Sequence, residues 1–177
     1  MKPRIVERGQ IMLAGLSFYG DPFAESGGWT EENEIGRLWN RFMAYLADQG
    51  SSTEPADADA PVYEVHVEGE ETASRGHREV FVGTEVTSLD EVPVKLLVKI
   101  LPAATYVVFT LQGEEITSDW SRMITDWMED AGYASAYPFG FQLYDARFLG
   151  LDHLAASVLD VYVPIEPAHH VPTDSHR

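Results

Sequence analysis

The sequence contains no cysteine among its 177 residues. That absence excludes a disulfide scaffold, a thiol nucleophile and a metal site built on cysteine ligands. The chain also lacks an apolar run of about 18 residues, the length that a membrane-spanning helix needs. The opening stretch MKPRIVERGQ has no apolar segment of the kind found in signal peptides. We therefore predict a cytoplasmic protein without a membrane segment.

Basic residues are scarce, with 12 lysines and arginines against 29 acidic residues and a net charge of −17. A surface of this sign repels phosphate backbones, so direct nucleic-acid binding is disfavoured. Exposed charges are screened by salt, and we interpret most of the acids as a solvated surface. An acidic face that binds a basic protein partner stays an alternative, although the acids are spread from Glu7 to Glu166.

The spacing of apolar residues predicts two similar series of elements. Residues 4–19 alternate as a strand, a helix opens at TEENE and ends near Gln49, and VYEVHVEG and EVFVGTEVTS form a hairpin. The second series contains VKLLVKILP and ATYVVFTLQG as strands or one strand bent at Pro102, a helix over 114–132, and the strands FQLYDARF and ASVLDVYVPI. The first helix carries an apolar stripe of Ile35, Leu38, Trp39, Phe42 and Leu46, and the second one of Ile116, Trp120, Met123, Ile124 and Trp127.

This order, β-α-β-β followed by β-α-β-β, predicts an α+β fold in which helices cover one face of antiparallel sheets. We expect one domain over residues 1–166, with a first repeat over about 1–90 and a second over about 91–166. Residues 167–177 read as a polar tail. The histidines of this tail, His169, His170 and His176, lack the fixed surroundings that a metal site needs.

The stretch FGFQLYDARF, residues 139–148, predicts a strand with one functional face. At a period of two residues, Phe141 and Leu143 point to one side of the sheet, whereas Gln142 and Tyr144 point to the other. An amide beside a tyrosine on one face raises the question of which face is the core.

Several strings in order resemble the gyrase-inhibitor-like, or effector-binding, domain of bacterial multidrug-responsive and AraC-type transcription regulators. They are VFVGTEVTSLDEVP, LPAATYVVFTLQGE, DWSRMITDWMEDAGY, FQLYDARF and VYVPI. The resemblance spans roughly residues 4–165. It implies two β-α-β-β repeats related by a pseudo-twofold axis, with antiparallel sheets that form a U-shaped ligand groove and helices on the outer face. It implies no metal and no organic cofactor.

The resemblance also implies a pocket face for the strand at 139–148, with Gln142 and Tyr144 towards the ligand and Phe141 and Leu143 beneath the helices. Family members that bind lipophilic cations carry a glutamate where this chain has Gln142. A buried carboxylate can pair with a cation, whereas a neutral amide cannot. We therefore expect a neutral or weakly polar ligand, unless another acid reaches the pocket. Glu85 is the candidate for that acid.

The resulting candidate site combines aromatic walls with a polar floor. The walls are predicted from Trp39, Phe42, Tyr106 and Trp120, and the floor from Gln142, Tyr144 and Glu85. Two other features are left open or set aside. The aromatic loop that contains Phe23 and Trp29 is either a lid or a loop folded on itself, and His66, which alternates with Glu64, reads as an exposed strand histidine.

These observations predict a stand-alone domain that binds a small hydrophobic molecule, neutral or cationic, without catalysis, in transcriptional regulation or in multidrug sensing and sequestration. The chain starts directly in the first strand, so we expect none of the DNA-binding helices that precede this domain in regulators. Two alternatives stay open. One is a hydrolase of small electrophiles such as cyclopropanoids or isothiocyanates, against which Gln142 argues because glutamine is no general base. The other is a protein-interaction module of the gyrase-inhibitor kind.

Overall fold

The structure is a computed structural model that describes residues 3–49, 60–90 and 92–168. Most of the predicted polar tail, including His169, His170 and His176, lies outside the described residues, as does the greater part of the connector after the first helix. The boundaries at residues 90 and 166, which separate the two predicted repeats and the tail, stay predictions.

Strands are the main regular element of the described chain. They are β1 (Arg4–Arg8), β2 (Ile11–Gly20), β3 (Val62–Glu68), β4 (Arg78–Glu85), β5 (Leu97–Leu101), β6 (Ala104–Gln112), β7 (Tyr133–Ser135), β8 (Phe139–Tyr144) and β9 (Val158–Pro167). The helices are α1 (Glu34–Gln49), the single turn α2 (Thr72–Arg75) and α3 (Trp120–Asp130). Two 3₁₀ segments, Gly113–Thr117 and Leu151–Ala156, lie before α3 and before β9.

The strands form an antiparallel sheet whose order is symmetric about its centre. The order is β1-β6-β9-β8-β3-β4-β2-β5, and β7 pairs with β9. On one side of the β8–β3 junction the strands β8, β9 and β6 follow each other, and on the other side β3, β4 and β2 do. The predicted α+β fold with antiparallel pairing is therefore confirmed, and its two halves meet where β3 pairs with β8.

The two ends of the sheet curl towards each other because its end strands continue into strands at the opposite end. β1 leads through Gly9 and Gln10 into β2, and β5 leads through Pro102 into β6. The pairing keeps one register across these bends, since Arg8 faces Ala104 and Ile11 faces Leu101. Gly15 and Gly83 face each other between β2 and β4, where a Cβ on Gly15 would lie 2.0 Å from the carbonyl oxygen of Val82.

The inner face of the curled sheet is a core made by strands alone. Its buried residues come from β2, β3, β4, β5, β6, β8 and β9, and no helix residue belongs to the cluster. Aromatic rings fill the space, with Phe141 stacked on Tyr162 at 4.6 Å between ring centroids and Tyr106 edge-on to Phe141 at 5.5 Å. Phe141, expected beneath the helices, thus lies on the opposite face, and Leu143 packs at the margin of the same inner cluster.

The helices cover the outer face. Leu38 and Phe42 of α1 are fully buried against Val80 and Val82 of β4. Helix α3 packs in a second outer cluster, in which its buried residues are Ile124 and Met128. Met123, which was expected in the apolar stripe of this helix, is 38% exposed. The α-helix begins later than the sequence suggested because residues 113–117 form a 3₁₀ segment, so its buried face includes Met128 instead.

A buried carboxylate ties the first strand to the second half of the fold. Asp160 is 2% exposed and accepts hydrogen bonds from Arg4 and Arg147, each at 2.9 Å, and another from the hydroxyl of Thr110. Arg147 also donates to Asp145, and these hydrogen bonds hold the pKa of the Asp145 carboxyl below its usual value. This network links β1, β6 and β9 to the segment that follows β8.

We predict that Asp160→Ala lowers the free energy of unfolding by about 2 kcal/mol, because several charge-assisted hydrogen bonds are lost together. Equilibrium unfolding in urea measures the change. Glu25→Ala is the matched control, since Glu25 pairs with Arg37 at the surface and its side chain is 66% exposed. The control should change stability by no more than about 0.5 kcal/mol. Equal effects of both substitutions would contradict the structural role assigned to Asp160.

Candidate functional site

A cavity of about 1060 Å³ opens on the outer face of the sheet between α1 and α3. This volume matches the upper range of pockets that hold drug-sized molecules. Trp39 and Met43 of α1 line one wall, and Trp120 and Ile124 of α3 line the other. The helices therefore form the walls of the cavity, and the sheet beneath them forms its floor.

The floor of the cavity lies at the junction of the two halves of the fold. Glu64 on β3 pairs directly with Gln142 on β8 in the antiparallel register, and Val62 pairs with Tyr144. Glu64, Gln142 and Tyr144 are 4%, 5% and 8% exposed. Their side chains point outward because the residues between them, such as Tyr63, Val65 and Phe141, fill the inner core.

Hydrogen-bond donors from three elements converge on the Glu64 carboxylate. The indole N–H of Trp39 donates to Oε2, and the amide of Gln142 donates to Oε1 at 3.3 Å. His66 Nε2 lies 2.7 Å from Oε1, and the Tyr144 hydroxyl lies 3.5 Å from Oε2. These groups replace the water that a buried carboxylate loses. The carboxylate is thereby held at a fixed place on the floor.

Tyr144 orients the amide that contacts Glu64. Its hydroxyl donates to Oε1 of Gln142 at 2.7 Å, which leaves the amide nitrogen facing the carboxylate. The pKa of Tyr144 is raised well above its usual value, first because the ring is buried and second because Glu64 is negative. The hydroxyl therefore stays protonated at neutral pH and keeps its role as a donor.

The loop before α1 closes part of the cavity with aromatic side chains. Asn33 is buried, accepts a hydrogen bond from the backbone N–H of Gly36 at 3.0 Å, and donates to the carbonyl of Gly28 at 2.8 Å. It thus caps α1 and anchors the loop at the same time. The neighbouring Trp29 lies 6.5 Å from the ring of Tyr144, and both it and Phe23 line the cavity. The loop therefore packs against the cavity, and its role as a lid stays a prediction.

The structure brings four of the seven predicted site residues to the cavity. They are Trp39, Trp120, Gln142 and Tyr144. Phe42 instead packs under α1 against Val80 and Val82, because its side chain points at the sheet rather than along it. Tyr106 lies in the inner core, since on β6 it alternates with Val107 and Phe109, which face outward. Ligand contact by the four residues at the cavity stays a prediction.

Glu85 does not lie at the cavity. It shares the inner-facing side of β4 with Phe81 and accepts a hydrogen bond from the Tyr63 hydroxyl at 2.9 Å, at the end of the inner core. Burial is the first cause that raises the pKa of Tyr63 to about 12. The alternation along β4 is therefore the reason why Glu85 cannot supply the carboxylate of the floor.

Glu64 supplies that carboxylate, and the sequence interpretation missed it. The polar face of VYEVHVEG looked like a solvent face, and His66 was read as exposed. The side chain of His66 is only 20% exposed and contacts Glu64. A comparison of the two predicted repeats could have identified Glu64, because Glu64 and Gln142 occupy corresponding positions in the third element of each repeat.

Neither a candidate metal-binding cluster nor a candidate membrane-spanning helix is found in the described part of the chain. No group of three or more histidine, aspartate or glutamate side chains there could hold a metal ion. None of the helices over residues 3–49, 60–90 and 92–168 has the length and apolar character needed to cross a membrane.

The symmetric sheet and the helix-walled cavity define a duplicated effector-binding type of fold, and solved structures share it. SAV2435 bound to tetraphenylphosphonium aligns with a TM-score of 0.66 at 12% identity over 94% of each chain. An integron cassette protein from the mobile metagenome of Vibrio cholerae aligns with a TM-score of 0.57 at 17% identity, over 93% of this chain and 95% of the other. A hydrolase from Listeria innocua aligns with a TM-score of 0.52 at 11% identity, over 93% and 92%.

At these identities the structures show a shared fold, and the family follows from the sequence. The family model of the integron-associated effector-binding protein, Cass2, matches residues 4–165. The chain belongs to this family, which confirms the resemblance to effector-binding domains and supports small-molecule binding. A search of curated proteins finds no significant match to the chain.

We predict that Trp39→Phe destabilises the protein by about 2 kcal/mol, because the buried Glu64 loses an N–H donor. Trp127→Phe is the matched control: Trp127 packs on Phe109 and Tyr133, and its indole has no hydrogen-bond partner among the described residues. Urea unfolding of both variants measures the difference. A cost for Trp39→Phe that does not exceed that of Trp127→Phe would show that the indole hydrogen bond contributes nothing.

Proposed function

We propose that this protein binds a small, largely apolar cation in the cavity between α1 and α3, with Glu64 as the counter-charge. The observation that carries the proposal is a buried carboxylate on the cavity floor that no lysine or arginine of the described residues pairs with. Its protein contacts are hydrogen bonds from Trp39, Gln142 and His66, and the Tyr144 hydroxyl lies 3.5 Å away. A cation that enters the cavity therefore meets a carboxylate that no lysine or arginine of the described residues neutralises.

The walls suit a ligand whose charge is covered by apolar groups. Trp39 lies edge-on to Tyr144 at 4.7 Å between ring centroids, and Trp120 faces them from α3. Aromatic faces attract cations, and the attraction grows when water is excluded. Because both oxygens of Glu64 already accept hydrogen bonds, a cation without N–H donors fits better than an ammonium ion, which would compete for those oxygens. SAV2435, a protein of the same fold, binds tetraphenylphosphonium, a cation of this kind.

The presence of Glu64 changes the ligand class that the sequence suggested. A neutral ligand was expected from Gln142 unless another acid reached the pocket, and Glu64 is directly paired with Gln142. The carboxylate that the family resemblance implies at the position of Gln142 would thus be supplied from the opposite strand. A role in transcriptional regulation or in multidrug sensing and sequestration, in the cytoplasm and with or without a protein partner, stays a prediction.

Hydrolysis of a small electrophile is a weaker candidate. Glu64 lies 3.5 Å from the Tyr144 hydroxyl, so the lack of a carboxylate at position 142 no longer argues against it. A general base must accept a proton from water, however, and both oxygens of Glu64 are engaged by donors from the protein. Binding without chemistry is therefore better supported.

We predict that tetraphenylphosphonium binds the wild type and that Glu64→Gln weakens it at least tenfold. A charge pair about 6 Å apart at an effective dielectric constant of about 20 contributes about 3 kcal/mol before desolvation is subtracted. Isothermal titration calorimetry measures the affinity. Triphenylphosphine oxide, a neutral molecule with three of the four phenyl groups on phosphorus, is the comparison ligand, and its affinity should change less than about twofold in the variant.

Two outcomes would contradict the proposal. One is equal weakening of the cation and the neutral ligand, which would mean that Glu64 acts by shaping the cavity. The other is tighter binding of the neutral ligand to the wild type. Glu70→Gln is the control for net charge, because Glu70 is an exposed acid close to the same strand and does not line the cavity.

We also predict that the carboxylate of the cavity floor can be moved from position 64 on β3 to position 142 on β8 without loss of cation binding. Gln142→Glu alone places a second carboxyl group 3.3 Å from Glu64 and should destabilise the protein. Combining it with Glu64→Gln restores one carboxylate and one amide in the paired positions. Affinity for tetraphenylphosphonium should then return to within about tenfold of the wild type. A double variant that folds but binds no better than Glu64→Gln would show that the two positions are not equivalent.

A further inference from the structure

The cavity contains an arginine that no described side chain satisfies. Arg78 begins β4 and lines the cavity. Its Nε atom is buried and has no hydrogen-bond partner, and no ion pair or hydrogen bond joins its guanidinium group to any described side chain. A buried donor that lacks a partner is unfavourable, so an acceptor that reaches this atom would be bound selectively.

Arg78 lies on the same face as Glu64 but towards the other end of the floor. Side chains alternate between the two faces along β4. Arg78 therefore points to the same side as Val80 and Val82, which face outward, and Glu79 points to the other side. The register pairs Arg78 with Glu68, four residues beyond Glu64 on β3. At the rise of a strand this separation is about 13 Å. The charges of Glu64 and Arg78 therefore occupy different parts of one cavity.

The floor between these charges has room for a connecting chain. His66, halfway between Glu64 and Glu68, pairs with Gly140 on β8. Because Gly140 has no side chain, nothing projects from the floor beside His66, and the neighbouring Pro138 and Val163 give this part of the lining an apolar character. An alkyl chain can follow this path from the aromatic end to Arg78.

We propose that Arg78 forms an anion-binding subsite, so that the preferred ligand has an apolar cation at one end and a carboxylate at the other. The inference rests on the proposed function, since it adds a second contact to the cation bound at Glu64. The planar guanidinium group suits a carboxylate because it can donate two parallel hydrogen bonds. Among the described residues that line the cavity, Arg78 is the one lysine or arginine. The carboxylate of the ligand is therefore expected at this position.

The test compares two probes that differ only at one end. Both are triphenylphosphonium ions with an alkyl chain, which ends in a carboxylate in one probe and in a methyl group in the other. Chains of increasing length are titrated into the wild type by calorimetry. We expect the carboxylate probe to bind at least fivefold tighter at one chain length, and this preference to disappear in Arg78→Gln. The methyl-ended probe should bind the variant with unchanged affinity, which also verifies that the variant is folded.

Further variants separate charge from geometry. Arg75→Gln removes the same charge from an exposed position whose side chain is 65% accessible, and it should leave the preference intact. Arg78→Lys keeps the charge without the two-pronged geometry and should retain part of the preference.

Equal affinities of the two probes for the wild type at every chain length would overturn the subsite, as would a preference that persists in Arg78→Gln. In both cases the proposed cation site stands, because the methyl-ended probe still binds. Failure of both probes to bind the wild type would instead overturn the proposed function, and the subsite with it.

Discussion

The hydrogen bonds around Glu64 are the interaction on which the candidate site depends. A buried carboxylate is tolerated only if protein groups replace its hydration, and here they come from both halves of the fold. Trp39 belongs to the first half, whereas Gln142 and Tyr144 belong to the second. The carboxylate thus joins the halves at the β3–β8 ladder and charges the floor of the cavity. Glu64 therefore contributes both to the stability of the fold and to the choice of ligand.

The curvature of the sheet makes such a floor possible. Because β1 and β5 continue into β2 and β6, the sheet curls and its inner face is filled by side chains from strands alone. The outer face therefore does not have to be covered completely by packed side chains. Two helices cover it at the sides, and the central strands between them stay open as the cavity. The aromatic stacking of Phe141 on Tyr162 inside the curl is the packing that lets Gln142, one residue away, face outward.

The sequence predicted the class of fold and part of the site, and the failures have physical causes. Period-two alternation correctly put Gln142 and Tyr144 on one face, but it could not say which face the helices cover. That choice depends on how the sheet curls, which is set by long-range pairing such as that of Arg8 with Ala104. For the same reason, the prediction from sequence wrongly placed Glu85 at the cavity and Glu64 in solvent. A polar strand face looks alike in sequence whether it meets water or a buried network.

The position of a bound cation is the most direct consequence of a charged cavity floor. A crystal structure of the protein with tetraphenylphosphonium tests it, because the position of the phosphorus atom is observed independently of any affinity. We expect the ligand to lie on the outer face between Trp39 and Trp120, with its phosphorus above the Glu64 carboxylate. A ligand bound elsewhere on the protein, or one held in this cavity away from Glu64, would contradict the central role of that carboxylate.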